Sequence, residues 1–227
     1  MNKPRILYLE DDPDLGEITT DMLIRMNFSI MWVNNGTEGL EAIMKENFDI
    51  IIADIMMPQL DGYSFLKQIR DMNNHTPLIL ISARVLTEDV LKGFSLGADD
   101  YMRKPFSIEE LSARIHRILK CSSPKTNSSN NIIIGSYEYN HSTYKLTYKD
   151  KEIMLSPRSG EILYRLATSK DSFLPRKETL LELWGDDHFF NGRSLDVFIS
   201  KLRKYLSEDP RISIINIRAT GYRLIVS

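Results

Sequence analysis

The sequence predicts two joined folds, an α/β domain built on a parallel sheet and a smaller α+β domain behind it. Three observations carry this. Apolar strand-like runs alternate with helix-period segments five times before residue 120, the pattern of a parallel sheet with helices on both faces. The stretch "CSSPKTNSSNN", residues 121–131, is small and polar and cannot bury a face, so it reads as a linker. Beyond it come short β-rich runs, three helical segments and a terminal hairpin signal. The expected divisions are residues 1–120, a linker over 121–131, and residues 132–227.

In the first domain, strands are expected at Ile6–Leu9, Ile30–Val33, Ile50–Ala53, Leu78–Ile81 and a short one near Tyr101. Helices are expected at about Asp14–Met26, Thr37–Glu46, Tyr63–Met72, Thr87–Leu96 and Ile108–Lys120. Five βα repeats in this length fit the flavodoxin-like fold with strand order 2-1-3-4-5. In the second domain, "NIIIGSYEYN" and "YKLTYKDKEIML" open as strands, and "ISIINIRATGYRLIVS" closes as two β runs around Ala-Thr-Gly. Strands, three helices and a closing hairpin describe a winged helix.

Composition bounds the function. With 42% hydrophobic and 26% charged residues the chain is that of a globular protein. Acids in "MNKPRILYLEDD" come too early for a secretory signal, and no apolar run is long enough to span a bilayer. The expectation is a cytoplasmic protein with no membrane partner. The lone Cys121 excludes an internal disulfide and a cysteine-based zinc site. The net charge of −2 hides an asymmetry: residues 1–120 hold 13 Lys+Arg against 19 Asp+Glu, and the remainder 16 against 12. An acidic half and a basic half suggest different partners, nucleic acid being the usual one for the basic half.

Ligands of an open parallel sheet bind beyond the carboxyl ends of its strands. Glu10 and Asp11 close strand one, Asp54 closes strand three, and the 2-1-3-4-5 order makes these strands neighbours. Three adjacent carboxylates call for a cation, and Mg²⁺ suits an all-oxygen site that keeps several waters. Ser82 ends strand four, and strand five leads to Lys104. Acids, a hydroxyl and an ammonium on one rim fit phosphoryl transfer with a carboxylate nucleophile. Any one of these residues alone is better explained as a turn residue; five together are not. Asp12 is either a neighbour of the metal site or a solvated turn acid. The loop "MPQLDG" shapes backbone.

"LEDD", "DIMMPQLDG", "ISAR" and "GADDYMRKPF" fall in the order and spacing of a response-regulator receiver domain, a resemblance covering essentially all of residues 1–120. It implies that Asp54 accepts a phosphoryl group from a sensor histidine kinase. It implies further that Glu10, Asp11, Asp54 and the backbone carbonyl of Met56 hold Mg²⁺. Ser82 would bond a phosphoryl oxygen, Lys104 would pair with the phosphate, and Tyr101 would swing inward as Ser82 moves. A cis Lys104–Pro105 peptide is expected, and Met56 and Arg84 would set the phosphoryl lifetime.

Two other motifs are set aside. "GFSLG", residues 93–97, matches a G-x-S-x-G nucleophile elbow, but it follows a helix-period stretch instead of a strand. No G-x-G-x-x-G follows the first strand. An aspartyl-phosphate phosphatase on the same sheet would want a second acid two residues past Asp54, where Met56 stands. The reading is therefore of a protein that is not an enzyme.

In the basic half, "NGRSLDVFISKLRKYL" places Leu195, Phe198, Ile199, Leu202, Tyr205 and Leu206 on one helical stripe. The opposite face carries Arg193, Val197, Ser200, Lys201 and Lys204. With "LSPRSGEILYRLA", "LLELWG" and "IRATGYRL", the segment resembles the winged-helix effector of OmpR/PhoB-type regulators. That resemblance puts Arg193–Leu206 in the major groove of promoter DNA, with Arg193, Ser194, Ser200, Lys201, Arg203 and Lys204 as contacts. Lys201 and Ser200 are the expected base readers. Arg218, with Asn216, Thr220 and Tyr222, would approach the minor groove or its phosphates. The loop "GDDHFFNG" would face RNA polymerase.

Two departures from the family pattern stand out. Ser159 and Gly160 replace a Glu and an aromatic at a helix start, so that turn either frays or packs differently; Gly costs a helix about 1 kcal/mol against Ala. On the face that dimerises active members, Asp100, Glu110 and Arg114 are present. Val90 and Ser95, however, stand where a basic and an acidic residue are expected, leaving the face electrostatically thin. The expected mechanism is a population shift toward a homodimer on phosphorylation, with two tethered effectors on paired half-sites. The rival is the same fold binding DNA without phosphorylation.

Overall fold

The computed structural model describes residues 3–83, 86–122, 131–185 and 189–227. The chain forms two compact units, Met1–Leu119 and Lys120–Ser227.

In the first unit, β1 (Arg5–Leu9), β2 (Ser29–Val33), β3 (Ile50–Asp54), β4 (Leu78–Ser82) and β5 (Asp100–Arg103) form one sheet in the order β2-β1-β3-β4-β5. All its pairings are parallel. Between the strands run α1 (Pro13–Arg25), α2 (Gly36–Lys45), α3 (Gly62–Asp71) and α4 (Thr87–Leu96), and α5 (Ile108–Ser122) follows β5. Every residue of β3 and β4 is buried, because helices cover both faces; that is why these strands read as unbroken apolar runs. Ile6, Tyr8, Ile50, Ile52, Ile79 and Ile81 face one side and pack with Leu23 of α1 and with Leu111, Ile115 and Ile118 of α5. Leu9 and Leu80 point the other way, under Gly39 of α2 and Gly93 of α4.

In the second unit, β6 (Asn131–Ile134), β7 (Tyr137–Asn140), β8 (Lys145–Tyr148) and β9 (Lys151–Met154) make an antiparallel meander. Then come α6 (Pro157–Thr168), β10 (Phe173–Pro175), α7 (Arg176–Leu183), α8 (Phe189–Tyr205) and the hairpin β11 (Ile212–Ile217) and β12 (Gly221–Val226). β10 pairs with β12 to make a third strand of the terminal sheet, an element too short for periodicity to reveal. Leu195, Phe198, Ile199, Leu202 and Leu206 are buried as the stripe predicts, whereas Tyr205 is only half-buried. α8 starts at Phe189, four residues before the expected Arg193.

Residues 123–130 of the expected linker lie outside the described residues; α5 extends through Ser122, and β6 begins at Asn131. The first turn of α6 is closed. Ser156 caps it by accepting from the Ser159 N–H, and residues 157–160 are all buried. A Cβ at Gly160 would stand 2.2 Å from Cδ1 of Tyr144. Of the two expected outcomes, packing is the one realised: the Tyr144 ring occupies the space a larger residue would need.

Candidate functional site

The carboxyl ends of β1, β3, β4 and β5 meet at one rim. Glu10 is fully buried, Asp54 nearly so, and Asp11 exposed. One carboxylate oxygen from each lies within 4.8 Å of the others. Lys104, delivered by β5 and held in a cis Lys104–Pro105 turn, places Nζ 2.8 Å from both Glu10 oxygens and also donates to Asp54 Oδ2. Asp54 Oδ1 accepts from the Met56 N–H at 3.0 Å. Tyr8 donates to Glu10 Oε2 at 3.1 Å.

Burial raises the Glu10 pKa; Lys104 opposes that shift, and the negative charge of Asp54 adds to it. For Lys104, burial works against the ammonium, but hydrogen bonds and charge from Asp54 and Glu10 outweigh it and its pKa rises. The rim is an acidic cleft already bridged by one fixed cation. Its hard oxygen donors, one of them exposed, fit a small divalent cation that keeps water. Asp12 has a separate task, accepting from the Asp14 and Leu15 N–H groups as the cap of α1.

Ser82 is fully buried. Tyr101, expected to move inward, already lies there, buried, its hydroxyl hydrogen-bonded to Ser82 and Tyr63. Tyr63 donates in turn to the Asp89 carbonyl of α4 at 2.8 Å, so the contact chain runs from the rim to that helix. The sequence reading missed Tyr63. Arg84 lies outside the described residues, and Met56 exposes half its side chain beside Asp54.

On the β5–α5 face, Arg114 donates to both Asp100 oxygens at 3.0 and 3.1 Å and to Glu110 at 2.9 Å. The Asp100 carboxylate, foremost, raises the Arg114 pKa. Val90 was expected on this surface and is not: it is 4% exposed. It shares the buried stripe of α4 with Gly93 and Phe94, and that i, i+3, i+4 spacing was the signal to read. Ser95 is exposed. Its hydroxyl donates to the Lys92 carbonyl within α4 at 2.8 Å, in the last turn of a helix and unlike a strand-to-helix elbow.

In the second unit, Arg193, Ser200, Arg203 and Lys204 are exposed along α8, and Lys201 is half-exposed with Nζ 5.9 Å from the Phe198 ring centre. Arg203 Nε donates to the Ile214 carbonyl of β11 at 2.8 Å. Arg218, Thr220 and Asn216 are exposed on the hairpin. Two expected contacts are corrected. Ser194 is fully buried, one helical turn before Phe198 on the core side, and does not reach the outer face. Tyr222 is buried, and its hydroxyl donates to Asp196 and accepts from Arg176 Nη1 at 2.8 Å. Burial, then Asp196, pushes its pKa up to about 12, which keeps the donor proton in place.

Arg176 also donates to Asp196 at 2.6 Å and to the Gly192 carbonyl at 2.7 Å. One guanidinium thus ties α7, α8 and β12 together. Beside it runs an open groove lined by Arg176, Lys177, Arg193, Asp196 and Thr220. Arg176 and Lys177 were missed, because only the fold brings the start of α7 next to α8. The expected polymerase-facing loop lies partly outside the described residues: 186–188 are not described, and Phe189 and Phe190 are helical.

A sheet of this order bearing an acid–lysine rim, followed by a three-helix unit with a basic helix and hairpin, has the architecture of a signal-receiver module joined to a DNA-binding module. Residues 6–116 match the model of the response regulator receiver domain, and residues 150–224 that of the C-terminal domain of transcriptional regulatory proteins. The chain is 40% identical to the transcriptional regulatory protein RprY of Bacteroides fragilis, over 98% of this chain and 95% of that one. It is 32% identical to the alkaline phosphatase synthesis transcriptional regulatory protein PhoP of Bacillus subtilis, over 99% and 97%. Among solved structures it resembles DrrB of Thermotoga maritima, an OmpR/PhoB homologue, with a TM-score of 0.52, 27% identity and coverage of 99% and 100%. The chain belongs to the OmpR/PhoB-type response regulators of two-component systems. It is a transcriptional regulator, and its family implies a histidine kinase and DNA as partners. Among the described residues no helix is long and apolar enough to cross a membrane.

Proposed function

We propose that Asp54 is the phosphoacceptor of a Mg²⁺-dependent switch that raises dimerisation and promoter binding. The observation that carries this is the convergence of Glu10, Asp11 and Asp54 within 4.8 Å beside Lys104. Asp54 attacks phosphorus: its P–O bond forms as the P–N bond to the kinase's histidine breaks. Mg²⁺, when bound, orients the phosphoryl group and neutralises its charge; Glu10, Asp11, Asp54 and the Met56 carbonyl would hold it. Lys104 then turns from the carboxylates to the phosphoryl oxygens, and Ser82 takes another. Ser82 already shares a hydrogen bond with Tyr101, so its displacement is felt through Tyr63 at α4.

The dimer forms on the face of α4, β5 and α5. Asp100, Glu110 and Arg114 already satisfy one another within one chain, and Ser95 adds no charge. The dimer is therefore weak before phosphorylation and leans on apolar contact. Arg193, Ser200, Lys201, Arg203 and Lys204 of α8 face the major groove, and Arg218 and Thr220 face the minor groove or its phosphates, with RNA polymerase recruited alongside.

The test is DNA binding and sedimentation with and without Mg²⁺ and beryllofluoride. Wild type is expected to gain dimer and at least about ten-fold in affinity, toward the lower end of the usual range for coupled sites; Asp54→Asn gains neither. Tight DNA binding that ignores beryllofluoride would instead support the phosphorylation-independent reading.

A further inference from the structure

We infer that Trp32 is a positioning residue for the cation site: its indole N–H fixes the peptide that aims Glu10 and Asp11 toward Asp54. This rests on the functional reading above and names a residue outside the acid–lysine set.

β1 and β2 pair in register from Arg5↔Ser29 to Leu9↔Val33, and there the ladder ends. Glu10 is the next residue. Its N–H still donates to the Val33 carbonyl at 3.1 Å, while its own carbonyl lies beyond the last pair of the ladder. Trp32, one place before Val33 on β2, reaches over with its side chain and donates from Nε1 to that carbonyl at 2.9 Å. The carbonyl of Glu10 and the N–H of Asp11 share one rigid plane, so fixing the first sets the direction in which Asp11 leaves. One residue later Asp12 is pinned by its capping bonds to the start of α1. Asp11, the exposed member of the acid cluster, is thereby suspended between two anchors. Trp32 is one of them.

An independent feature shows that the indole's seat is built for it. A Cβ at Gly16 would lie 2.2 Å from Cζ2 and 2.3 Å from Cε2 of Trp32, closer than any side chain can stand. Glycine is among the worst helix formers, yet it sits inside the first turns of α1. The indole accounts for it: any larger residue at position 16 would push the ring off the Glu10 carbonyl. Packing alone would be served by any flat ring at position 32. The nitrogen directed at the peptide of a metal-site acid is what packing does not explain.

The experiment titrates Mg²⁺ into the full-length wild type, Trp32→Phe and Asp54→Asn by calorimetry, with metal-free melting recorded for each. Phenylalanine keeps the ring and removes the donor. Trp32→Phe is expected to bind Mg²⁺ about three- to ten-fold more weakly, the size of one lost hydrogen bond. A purely structural role would lower the melting temperature and leave the Mg²⁺ constant at its wild-type value, and that result overturns the inference. Should Trp32→Phe not fold, the indole N–H resonances of the unmodified protein decide. The Trp32 signal should shift with Mg²⁺ at the calorimetric midpoint while that of Trp184 stays still; an unmoved Trp32 signal overturns the inference. If wild type takes up no more Mg²⁺ than Asp54→Asn, the functional reading itself fails and this inference falls with it. Tight wild-type binding that Trp32→Phe fully retains sinks the inference alone.

Discussion

Lys104 holds two buried carboxylates at once, and this makes it a structural counter-ion whatever else it binds. Removing one partner of a buried ion pair leaves charge uncompensated, at a cost of about 3 kcal/mol or more. Lys104→Met is therefore expected to lower metal-free stability by about 3 kcal/mol in urea unfolding with chelator present. Added Mg²⁺ should stabilise the variant more than the wild type, because the cation meets no internal competitor there. Equal Mg²⁺ gains in both proteins would show that Lys104 and the metal do not share oxygens. At this scale much was legible from sequence. Acids at strand ends are recognisable because strand order alone makes them neighbours. Trp32, Tyr63 and Arg176 were not legible, since each acts through a side chain reaching an element remote in sequence.

At the scale of elements, the misplaced helix residues are matters of helical phase, while Tyr222 turns inward from a strand. Val90 and Ser194 were assigned to surfaces by family position, while the i, i+4 pairs Val90–Phe94 and Ser194–Phe198 put both on buried stripes. The meander and α8 are joined by a different device. Asp209, just after α8, accepts from the Ser136 N–H at 2.8 Å in the β6–β7 turn and from the Arg211 N–H at 3.1 Å and guanidinium at 2.8 and 3.0 Å. The Arg211 side chain, above all, holds the Asp209 carboxyl well below the usual carboxylate range. A depressed native pKa contributes stability that is complete above the unfolded value near 4 and is lost as pH falls below it. Wild type should therefore exceed Asp209→Asn in stability at pH 6, and the gap should shrink toward pH 3 in urea unfolding followed at Trp184. A gap independent of pH would assign the effect to shape, not charge.

Over the whole molecule, an acidic receiver precedes a basic effector of net +4 over residues 121–227. Like charge on protein and DNA is expected to keep the first half off the duplex, so that the second half carries the salt dependence. Each lost phosphate contact should flatten the slope of log affinity against log salt by about 0.9. Lys204→Ala is expected to do this while weakening all sequences equally; a change of sequence preference would instead make Lys204 a base reader. The bolt formed by Arg176, Asp196 and Tyr222 bears on this too. With α8 and the hairpin locked to one guanidinium, the span between their contacts cannot adjust to the duplex. The effector then behaves as a rigid caliper, and DNA must match its gap or deform to do so. Sites with a suitable groove width or a pliable step between the two contacts are selected at base pairs no side chain touches.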